Sequence, residues 1–455
     1  MLFGLMPYFC QSLSFSAQAL LFACHRLPAP ALLYSGLSGH PREHAADQKR
    51  WAVLAFAPTQ QRCVRSSIDW NALTADLGQQ GFHTQLGLTA PHERFISGWM
   101  GYFSYDAGRF TVSGLPNSAI TESDTSTTAL PYAEFNRYAF SILLDLDSDQ
   151  CELRAPQAMT ESEVANITSQ LQQALDASAH VAVEPTSWKP GWDDQRYEQA
   201  FDRVQEYINA GDVYQVNLTM PFHSQANLTE RNPTELLQHF DAPFSCYFKS
   251  DALTLFSVSP ERFVKLEEHR IVTSPIKGTA PRGATVEEDE ANKQWLASSE
   301  KNQAENLMIV DLLRNDLGRS ARPGSVSVDK LFDIESHANV HHMVSTISAE
   351  VQPTLTPLDA VLNAFPGGSI TGAPKKRAME VIQELEHSQR GLYCGSFGYF
   401  SDSGVADFNI LIRSIVATEK GAECWGGGGV VKDSTAESEY EEIFNKVQRI
   451  MDAPL

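Results

Sequence analysis

Residues 244–258, FSCYFKSDALTLFSV, contain two strand-like runs that are separated by residues 249–252. Further strand-like runs lie at 213–220 and 270–273, and a long helical stretch is predicted over 286–317. Strands and helices therefore come in blocks rather than in strict alternation. This grouping is typical of an α+β protein with mainly antiparallel sheets and helices packed outside them.

The first third of the chain also has the pattern of strands and turns. Strands are predicted at 50–58, 95–105 and 135–146, and a returning strand is predicted near Leu153. Between them, residues 112–130 are rich in serine and threonine, which predicts a surface loop.

Two helices are predicted between these strand blocks. The motif TESE at 160–163 is a capping box, and apolar residues follow it at helical spacing. A second amphipathic pattern ends at Gly211, after a connection over 185–192 that contains proline and tryptophan. We place a division here, between residues 1–185 and 186–455, and we expect the two regions to form one intertwined structural unit.

Composition restricts the class of protein. The chain has 455 residues, 42% of them hydrophobic, a formal net charge of -21 and a pI near 5.0. This charge argues against broad contact with nucleic acid or with an anionic membrane. Seven cysteines without a Cys-x-x-Cys pair favour a reducing compartment, and we expect the cytoplasm. No run reaches the ~18 apolar residues of a membrane span, and a signal peptide is only weakly indicated.

A single lysine stands among apolar and glycine neighbours in TSPIKGT at 273–279. Desolvation would lower the pKa of Lys277, and a neutral lysine amine is a nucleophile. The alternative is an exposed turn lysine beside a glycine.

Carboxylates in two helical patterns are candidate metal ligands. Glu305 precedes a strongly apolar run, so a partner for its charge is expected, and Mg²⁺ is one. Glu439 and Glu442 are three residues apart and share a helix face, with Lys446 one further turn along. The alternative for this second group is a solvated acidic face paired with lysines.

Two further features concern acids and anions. Glu261 follows an apolar strand, where a carboxyl group can have a raised pKa and act as a general acid, or can pair with Arg262. The glycines at 426–429 would let backbone N–H groups approach an anion, and Arg413 could clamp a carboxylate, although a turn and a surface arginine are the commoner explanations.

The loop GGSITGAPK at 367–375 does not match a phosphate-binding loop, because its lysine does not directly follow the last glycine. His341 and His342 have no third ligand at the spacing of a zinc site. We therefore predict neither a nucleotide site nor a zinc site at these positions.

Four motifs together carry a family resemblance. They are PIKGT at 275–279, AENLMIVDLLRNDLGR at 304–319, FPGGSITGAPK at 365–375 and EYEE at 439–442. In this order they strongly resemble the chorismate-utilising enzymes, which include anthranilate, isochorismate, salicylate and aminodeoxychorismate synthases. Weaker similarity extends back to LLYS at 32–35, so the resemblance covers nearly the whole chain.

The resemblance implies a fold and a division of labour. The fold is a large, mainly antiparallel two-sheet β-sandwich with helices packed outside. Residues 1–185 would be an anthranilate-synthase-like region, and residues 186–455 would be the chorismate-binding catalytic region.

Two positions distinguish members of this family. Anthranilate synthases carry PIAGT where this chain has PIKGT, whereas the first component of aminodeoxychorismate synthases carries a lysine, here Lys277. Gln215 stands where isochorismate-type relatives carry a lysine that activates water, and glutamine has no basic nitrogen for that role. Within the family, the chain therefore resembles component I of the aminodeoxychorismate synthases.

That resemblance implies conversion of chorismate and ammonia to 4-amino-4-deoxychorismate, for para-aminobenzoate and folate biosynthesis. Lys277 would form a covalent adduct with the ring while Glu261 protonates the departing hydroxyl, and ammonia would then displace the lysine. Two alternatives stay open. One is anthranilate synthase component I, which Lys277 opposes. The other is a catalytically silent subunit that binds chorismate or an aromatic amino acid.

The resemblance also assigns ligands. Glu305 and Glu442, with Glu439 nearby, would hold Mg²⁺, although Asn302 stands where many relatives carry a further carboxylate. The other matched positions are expected to contact or surround the substrate: Gln215, Gly278, Thr279, His342, Thr371, Tyr393, Arg413, Gly427, Gly428 and Lys446.

Two partners are implied as well. None of the cysteines lies in the Gly-x-Cys-x-Gly setting of a glutaminase nucleophile, so a separate glutamine amidotransferase subunit is expected to supply ammonia. The LLYS motif resembles the region where anthranilate synthases bind tryptophan, which suggests a tryptophan pocket that includes Ser35.

Overall fold

The computed structural model describes residues 8–36, 49–79, 81–82, 95–115, 130–177, 186–336 and 340–453. Within these ranges the helices are α1 Ala17–Ala23, α2 Ser67–Leu77, α3 Gly108–Thr111, α4 Glu161–Asp176, α5 Asp194–Ala210, α6 Thr234–Phe240, α7 Val286–Ala297, α8 Glu300–Gly318, α9 Pro357–Ala364, α10 Lys375–Glu386 and α11 Ala436–Met451.

The strands of the same ranges are β1 Phe9–Leu13, β2 Ala31–Ser35, β3 Trp51–Ala55, β4 Gln60–Val64, β5 Gly98–Phe103, β6 Ala133–Tyr138, β7 Ser141–Asp145, β8 Gln150–Ala155, β9 Lys189–Pro190, β10 Gln215–Ser224, β11 Phe244–Lys249, β12 Thr254–Ser259, β13 Arg262–Glu267, β14 Arg270–Thr273, β15 Ile276–Pro281, β16 Ser327–Ser336, β17 Val340–Glu350, β18 Gly372–Ala373, β19 Ser396–Ser401, β20 Ala406–Asn409, β21 Ser414–Thr418 and β22 Gly421–Val430.

The strands form two sheets. The first has twelve strands in the order β1-β8-β7-β3-β2-β11-β12-β21-β22-β10-β18, with β9 also paired to β10. The second has ten strands in the order β15-β17-β14-β13-β20-β19-β5-β6-β4, with β16 also paired to β17. The named strands pair antiparallel throughout the described ranges. The predicted architecture of two large antiparallel sheets with helices is confirmed.

Strands from distant parts of the chain are interleaved in both sheets. β1–β3, β7 and β8 join the twelve-stranded sheet through the β2–β11 pair, and β4–β6 join the other sheet through the β5–β19 pair. Near the C-terminus, β21 and β22 insert between β12 and β10. The proposed boundary at residue 185 itself lies outside the described residues, as does most of the predicted loop at 112–130.

Local signals account for the ends of two helices. At the start of α4, Thr160 N donates to the Glu163 carboxylate at 2.8 Å, and Thr160 Oγ1 accepts from Glu163 N at 3.3 Å. This is the predicted capping box. At the end of α5, Gly211 adopts a φ of 79°, a left-handed conformation that glycine adopts without steric cost.

Two predicted elements are each divided in the structure. The prediction of one continuous helix over 286–317 is wrong. Ser299 caps a new helix, α8, by accepting a hydrogen bond from Asn302 N. The single strand over 135–146 is also wrong, because the chain bends at Ala139 and passes from β6 in one sheet to β7 in the other. Its hydrophobic pattern continues across the bend because both strands are buried.

Aromatic rings fill part of the core beneath the candidate site. The ring of Phe103 on β5 lies 4.7 Å from that of Phe135, 6.0 Å from that of Phe408 and 5.8 Å from that of Phe365. Phe365 also packs edge-to-face on Phe263 of β13, with centroids 6.0 Å apart. The FPGGSITGAPK loop is thus anchored in the core at its first residue.

A buried ion pair connects α10, β10 and this loop. Arg390 donates to the Glu386 carboxylate at 2.8 and 2.7 Å, and both side chains are about 1% exposed. Arg390 also donates to the carbonyls of Asn217 at 2.6 Å and Ile370 at 3.2 Å. Glu386 accepts from the backbone and the hydroxyl of Thr219 at 3.1 and 2.8 Å. Nearly every polar group of the pair therefore has a partner.

None of the helices in the described ranges has both the length and the apolarity that crossing a membrane requires.

We expect Arg390→Ala to lower the free energy of unfolding by about 3–5 kcal/mol, because Glu386 would be left as a buried charge without its counter-ion. Arg203→Ala is the matched control, since Arg203 is exposed and pairs with Glu206 in solvent. Urea unfolding followed by circular dichroism measures both. Equal losses in the two variants would contradict the importance of the buried pair.

Candidate active site

Lys277 lies in a bulge of β15. Ile276 and Thr279 are three residues apart, yet their partners on β17 are only two residues apart. Gly278 is in this bulge with a φ of 86°, a conformation that favours glycine. A bulge changes the direction of the neighbouring side chain and is common beside active sites. Lys277 is half-buried there.

The bulge packs tightly against the start of α8. A Cβ atom added to Gly278 would lie 2.9 Å from Cγ of Asn302 and 3.0 Å from Cδ1 of Leu296. Beyond the bulge, Thr279 Oγ1 and Nδ1 of His342 are 2.9 Å apart. Three predicted site residues are thus grouped around Lys277.

Glu261 follows β12, and its carbonyl accepts a hydrogen bond from Ile410 N at 3.0 Å. Burial raises the pKa of its carboxyl group, and the positive charges of Lys277 and Arg413 and a hydrogen bond from Ser369 act in the opposite direction. The Ser369 hydroxyl donates to Oε1 at 3.1 Å. The charge of the predicted nucleophile, Lys277, thus acts on the carboxyl group of the predicted acid, Glu261.

The alternative partner for Glu261 is engaged elsewhere. Arg262 donates to both carboxylate oxygens of Asp407, at 2.9 and 3.1 Å, and its guanidinium stacks over Phe244. The Arg262–Glu261 pair considered from the sequence is therefore replaced by a bidentate pair across β13 and β20.

Arg413 has a φ of 51°, which is unusual for a residue other than glycine. Burial and the charge of Arg449 lower the pKa of its guanidinium, and Glu261 counteracts them. Its side chain is nevertheless exposed to water. These properties fit the wall of a concave site, where protein surrounds a group that water can still reach. Strained backbone of this kind is often found at functional sites.

The glycines of β22 allow α11 to approach closely. A Cβ atom at Gly428 would lie 2.6 Å from Oε2 of Glu439. Lys446 Nζ donates to the carbonyl of Gly427 at 3.0 Å and pairs with Glu442 at 2.6 Å. Two predicted glycines, two predicted carboxylates and the predicted lysine therefore lie together.

Burial and the charge of Glu442 raise the pKa of the Glu439 carboxyl above its ordinary value, although a hydrogen bond from Ser434 and the charges of Lys446 and Lys301 act in the opposite direction. Lys301 belongs to α8, so a positive charge of α8 acts on a carboxylate of α11. On α8, Lys301 Nζ lies 3.9 Å from the carboxylate of Glu305. The three predicted carboxylates thus come from two neighbouring helices.

Mg²⁺ is the cation implied for these carboxylates. Three oxygen donors with mutual repulsion match the chemistry of a hard cation. Among the described residues, however, no three His, Cys, Asp or Glu side chains are arranged to hold a metal ion as they stand. Glu305 and Glu442 instead have lysine partners.

Two predicted polar residues are almost completely buried. Gln215, at the start of β10, is 3% exposed, and its Nε2 has no hydrogen-bond partner among the described residues. Thr371 is fully buried, and its hydroxyl donates to the carbonyls of Gly367 at 3.1 Å and Gly368 at 3.2 Å. Gln215 therefore has a free donor, whereas the Thr371 hydroxyl closes the turn of the loop.

Lys375, the lysine of the FPGGSITGAPK loop, is buried. Its Nζ pairs with Asp316 at 2.7 Å and donates to the carbonyl of Ala364 at 2.8 Å. The amine of Lys375 therefore binds groups of the protein itself and stabilises the loop.

Tyr393 is buried and stacks on Trp425, with ring centroids 5.9 Å apart and an interplanar angle of 15°. Burial raises the pKa of its phenol well above the ordinary value, so the hydroxyl stays protonated. The stack places Tyr393 beside the glycine strand, β22.

Ser35 lies apart from these groups, at the end of β2. It lines a pocket together with apolar side chains and the Arg262–Asp407 pair. None of Lys277, Glu305 or Glu442 lines this pocket.

Ser369 is the site residue that the sequence analysis missed. The signal for it was present, since Ser369 lies inside the FPGGSITGAPK motif. Its role could not be inferred from that motif, because its hydrogen bond to Glu261 joins residues 108 positions apart.

Comparison with known proteins identifies the family. The family model described as chorismate binding enzyme matches residues 35–452. The chain belongs to the chorismate binding enzyme family.

Two relatives are similar to this chain over different shares of its length. Aminodeoxychorismate synthase component 1 of Salmonella typhimurium is 38% identical over 436 residues, which is 94% of this chain and 93% of that protein. Anthranilate synthase component 1 of Aquifex aeolicus is 41% identical over 268 residues, which is 59% of this chain and 54% of that protein. The similarity to the first extends over nearly the full length of both chains.

A solved structure agrees with the family assignment. The crystal structure of anthranilate synthase component I from Streptococcus pneumoniae superimposes with a TM-score of 0.73 at 26% sequence identity. The match covers 88% of this chain and 92% of that one. The predicted chorismate-utilising enzyme fold is therefore confirmed.

Proposed function

We propose that this enzyme acts as the first component of an aminodeoxychorismate synthase. It would convert chorismate and ammonia to 4-amino-4-deoxychorismate for para-aminobenzoate and folate biosynthesis. The observation that carries the proposal is the position of Lys277 in a bulge, from which its charge acts on the carboxyl group of Glu261. The full-length similarity to an aminodeoxychorismate synthase component 1 supports it further.

In the first step, the ammonium group of Lys277 gives up a proton to water, and the resulting amine attacks the ring carbon ortho to the carboxylate. A C–N bond forms, the ring C–O bond breaks, and the hydroxyl leaves as water with the proton of Glu261. The raised pKa of Glu261 supports this role, because the carboxyl group keeps a proton to donate at higher pH than an ordinary glutamate does.

In the second step, ammonia attacks the ring para to the carboxylate, and the bond to Lys277 breaks. The enolpyruvyl ether is retained in the product. Two displacements thus replace one, which is the usual advantage of covalent catalysis.

Cationic and N–H groups would hold the two carboxylates of the substrate. Arg413, Lys446 and the backbone of Gly427 and Gly428 are suited to this role, with Gln215, Thr279, His342, Thr371 and Tyr393 around the ring. Mg²⁺, when held by Glu305, Glu439 and Glu442, would neutralise the ring carboxylate. The lysines that now pair with Glu305 and Glu442 would then turn toward solvent or substrate.

A glutamine amidotransferase subunit is proposed as the source of ammonia. The similar Salmonella protein is named as a component 1, which supports the existence of a second component. Free ammonium would serve as a poorer direct donor. The seven cysteines, all free thiols in the described residues, support a reducing compartment such as the cytoplasm.

Anthranilate synthase component I is the second candidate, favoured by the similarity to the Aquifex protein. That reaction places nitrogen ortho to the carboxylate and eliminates pyruvate, so Lys277 would occupy the path of the nucleophile. The silent binding subunit is less well supported, since the nucleophile, the acid and the carboxylates are all present.

We expect the purified chain, with chorismate, Mg²⁺ and ammonium at mildly alkaline pH, to form a product that becomes para-aminobenzoate only after an aminodeoxychorismate lyase is added. Mass spectrometry with and without the lyase measures this, and a chelator arm tests the metal. Direct formation of anthranilate would move the chain to the second candidate, and turnover unaffected by the chelator would remove Mg²⁺ from the proposal.

Lys277→Ala should lose most of its activity with ammonium, because the covalent step disappears, whereas Lys420→Ala, at an exposed turn, should keep it. Glu261→Gln should lower the rate by about 10²–10⁴-fold, the usual contribution of a general acid. Steady-state rates of the three variants measure these effects. An unchanged rate in Lys277→Ala would remove the covalent role of the lysine.

We also propose that tryptophan occupies the pocket at Ser35. Its walls are mainly apolar, and the Arg262–Asp407 pair offers both charges to a zwitterionic head group. Equilibrium dialysis should detect tryptophan but not leucine binding to the native chain, and Ser35→Leu, which fills the pocket, should abolish it. If none binds and denatured protein releases none, the pocket has another role.

A further inference from the structure

The structure gives the general acid one side-chain hydrogen-bond donor of fixed position. Ser369 donates to Oε1 of Glu261 at 3.1 Å. The two charged groups that face the same carboxyl come from other elements, Lys277 from β15 and Arg413 from the segment after β20. Each of these cations is expected to change partner when an anionic substrate binds, whereas the hydroxyl of Ser369 has no such competitor.

The turn that carries Ser369 is held from several directions. Ser369 lies in a short 3₁₀ helix, Gly368–Ile370, and is 8% exposed. The carbonyl of Ile370 accepts from Nδ2 of Asn217 at 2.9 Å and from Arg390 at 3.2 Å. Any Cβ on Gly368 would lie 2.7 Å from Leu312, so α8 packs directly on the turn. The turn has little freedom to move.

The backbone of Glu261 is equally constrained. Ser259 Oγ donates to the carbonyl of Ile410 at 2.6 Å and accepts from Glu261 N at 3.3 Å. Phe263, two residues after Glu261, packs on Phe365, and Phe365 begins the loop that contains Ser369. Acid and hydroxyl therefore sit on two elements that contact one another in the core.

We propose that Ser369 is a positioning residue for the general acid, one that fixes Oε1 as the hydrogen-bond acceptor and leaves the transferable proton on Oε2. A neutral carboxyl group has one carbonyl-like oxygen and one O–H, and a donor at Oε1 selects Oε1 as the carbonyl-like oxygen. Oε2 is then the oxygen that points its proton at the departing hydroxyl. The assignment rests on the proposed role of Glu261.

The hydrogen bond from Ser369 also changes the pKa of Glu261 in a known direction. A donor stabilises the ionised carboxylate more than the neutral acid, so Ser369 lowers the pKa of Glu261 against the effect of burial. Removal of the hydroxyl raises the pKa further. Because the protonated form is the active one, the rate of a variant without the hydroxyl is maintained to higher pH than the rate of the native protein.

The test compares Ser369→Ala with the native chain in kcat/KM for chorismate across pH. At low pH the variant is expected to be about tenfold slower, because the proton is misdirected. Its alkaline limb should shift upward by about one pH unit, the scale of one hydrogen bond to a charged group. The ratio of variant to native rates therefore rises with pH, and the ionisation of ammonium cancels in that ratio.

Two variants serve as controls. Ser369→Thr keeps the hydroxyl and should leave the ratio independent of pH. Ser257→Ala removes another buried hydroxyl, on β12. Its partner, Ser414, can still donate to the carbonyl of Ile412. This variant should therefore leave the alkaline limb of the pH profile unchanged. A ratio for Ser369→Ala that is low but constant with pH would overturn the proposal, since a purely structural defect has that signature.

A measurement without substrate separates this inference from the proposed function. In protein labelled with ¹³C-glutamate, the carboxyl signal that disappears in Glu261→Gln reports the titration of Glu261. It should titrate at higher pH in Ser369→Ala, or in Ser369→Cys if the alanine variant does not fold. An unchanged midpoint overturns the positioning role even if chorismate is aminated, and a shifted midpoint supports it even if chorismate is not.

Discussion

The pairing of Glu386 with Arg390 is the interaction on which the geometry of the site depends. Two charges are buried almost completely, and such a pair is tolerated only when its remaining donors and acceptors are also satisfied. Here those partners are the backbone of β10 and the turn before β18. The pair also constrains the backbone. Because the planar guanidinium of Arg390 binds the carbonyls of two separate segments, it fixes the positions of both segments relative to α10.

Around that fixed point, the site concentrates positive charge in a strongly acidic chain. Lys277, Arg413 and Lys446 line it, and Arg449 and Lys301 act on it from nearby. A cluster of cationic side chains within an overall negative field attracts small anions, whereas large polyanions are repelled by the rest of the surface. The carboxylates of α8 and α11 limit this positive region on one side.

Helix ends that are fixed by neighbouring residues could be predicted from the sequence. The capping box at 160–163 and Gly211 fix helix ends within a few residues, so they could be recognised without the fold. The break at Ser299 is also local but weak, since one hydroxyl competes with continuous helical composition. The motifs gave the candidate catalytic residues by resemblance. The contact of Ser369 with Glu261 could not be inferred, because it depends on how two sheets and a loop pack in three dimensions.

The interleaved strand order has a consequence for how the protein is made. β21 and β22 occupy the middle of the twelve-stranded sheet, so that β12 and β10 lack their neighbours until residue 430 has been synthesised. Once β10 and β12 have been made, the nascent chain therefore exposes strand edges whose partners lie about 160–210 residues further along the chain. Such long-range closure is slow and leaves partly formed sheets open to association with other chains. A fragment that ends before β21 would carry those open edges permanently.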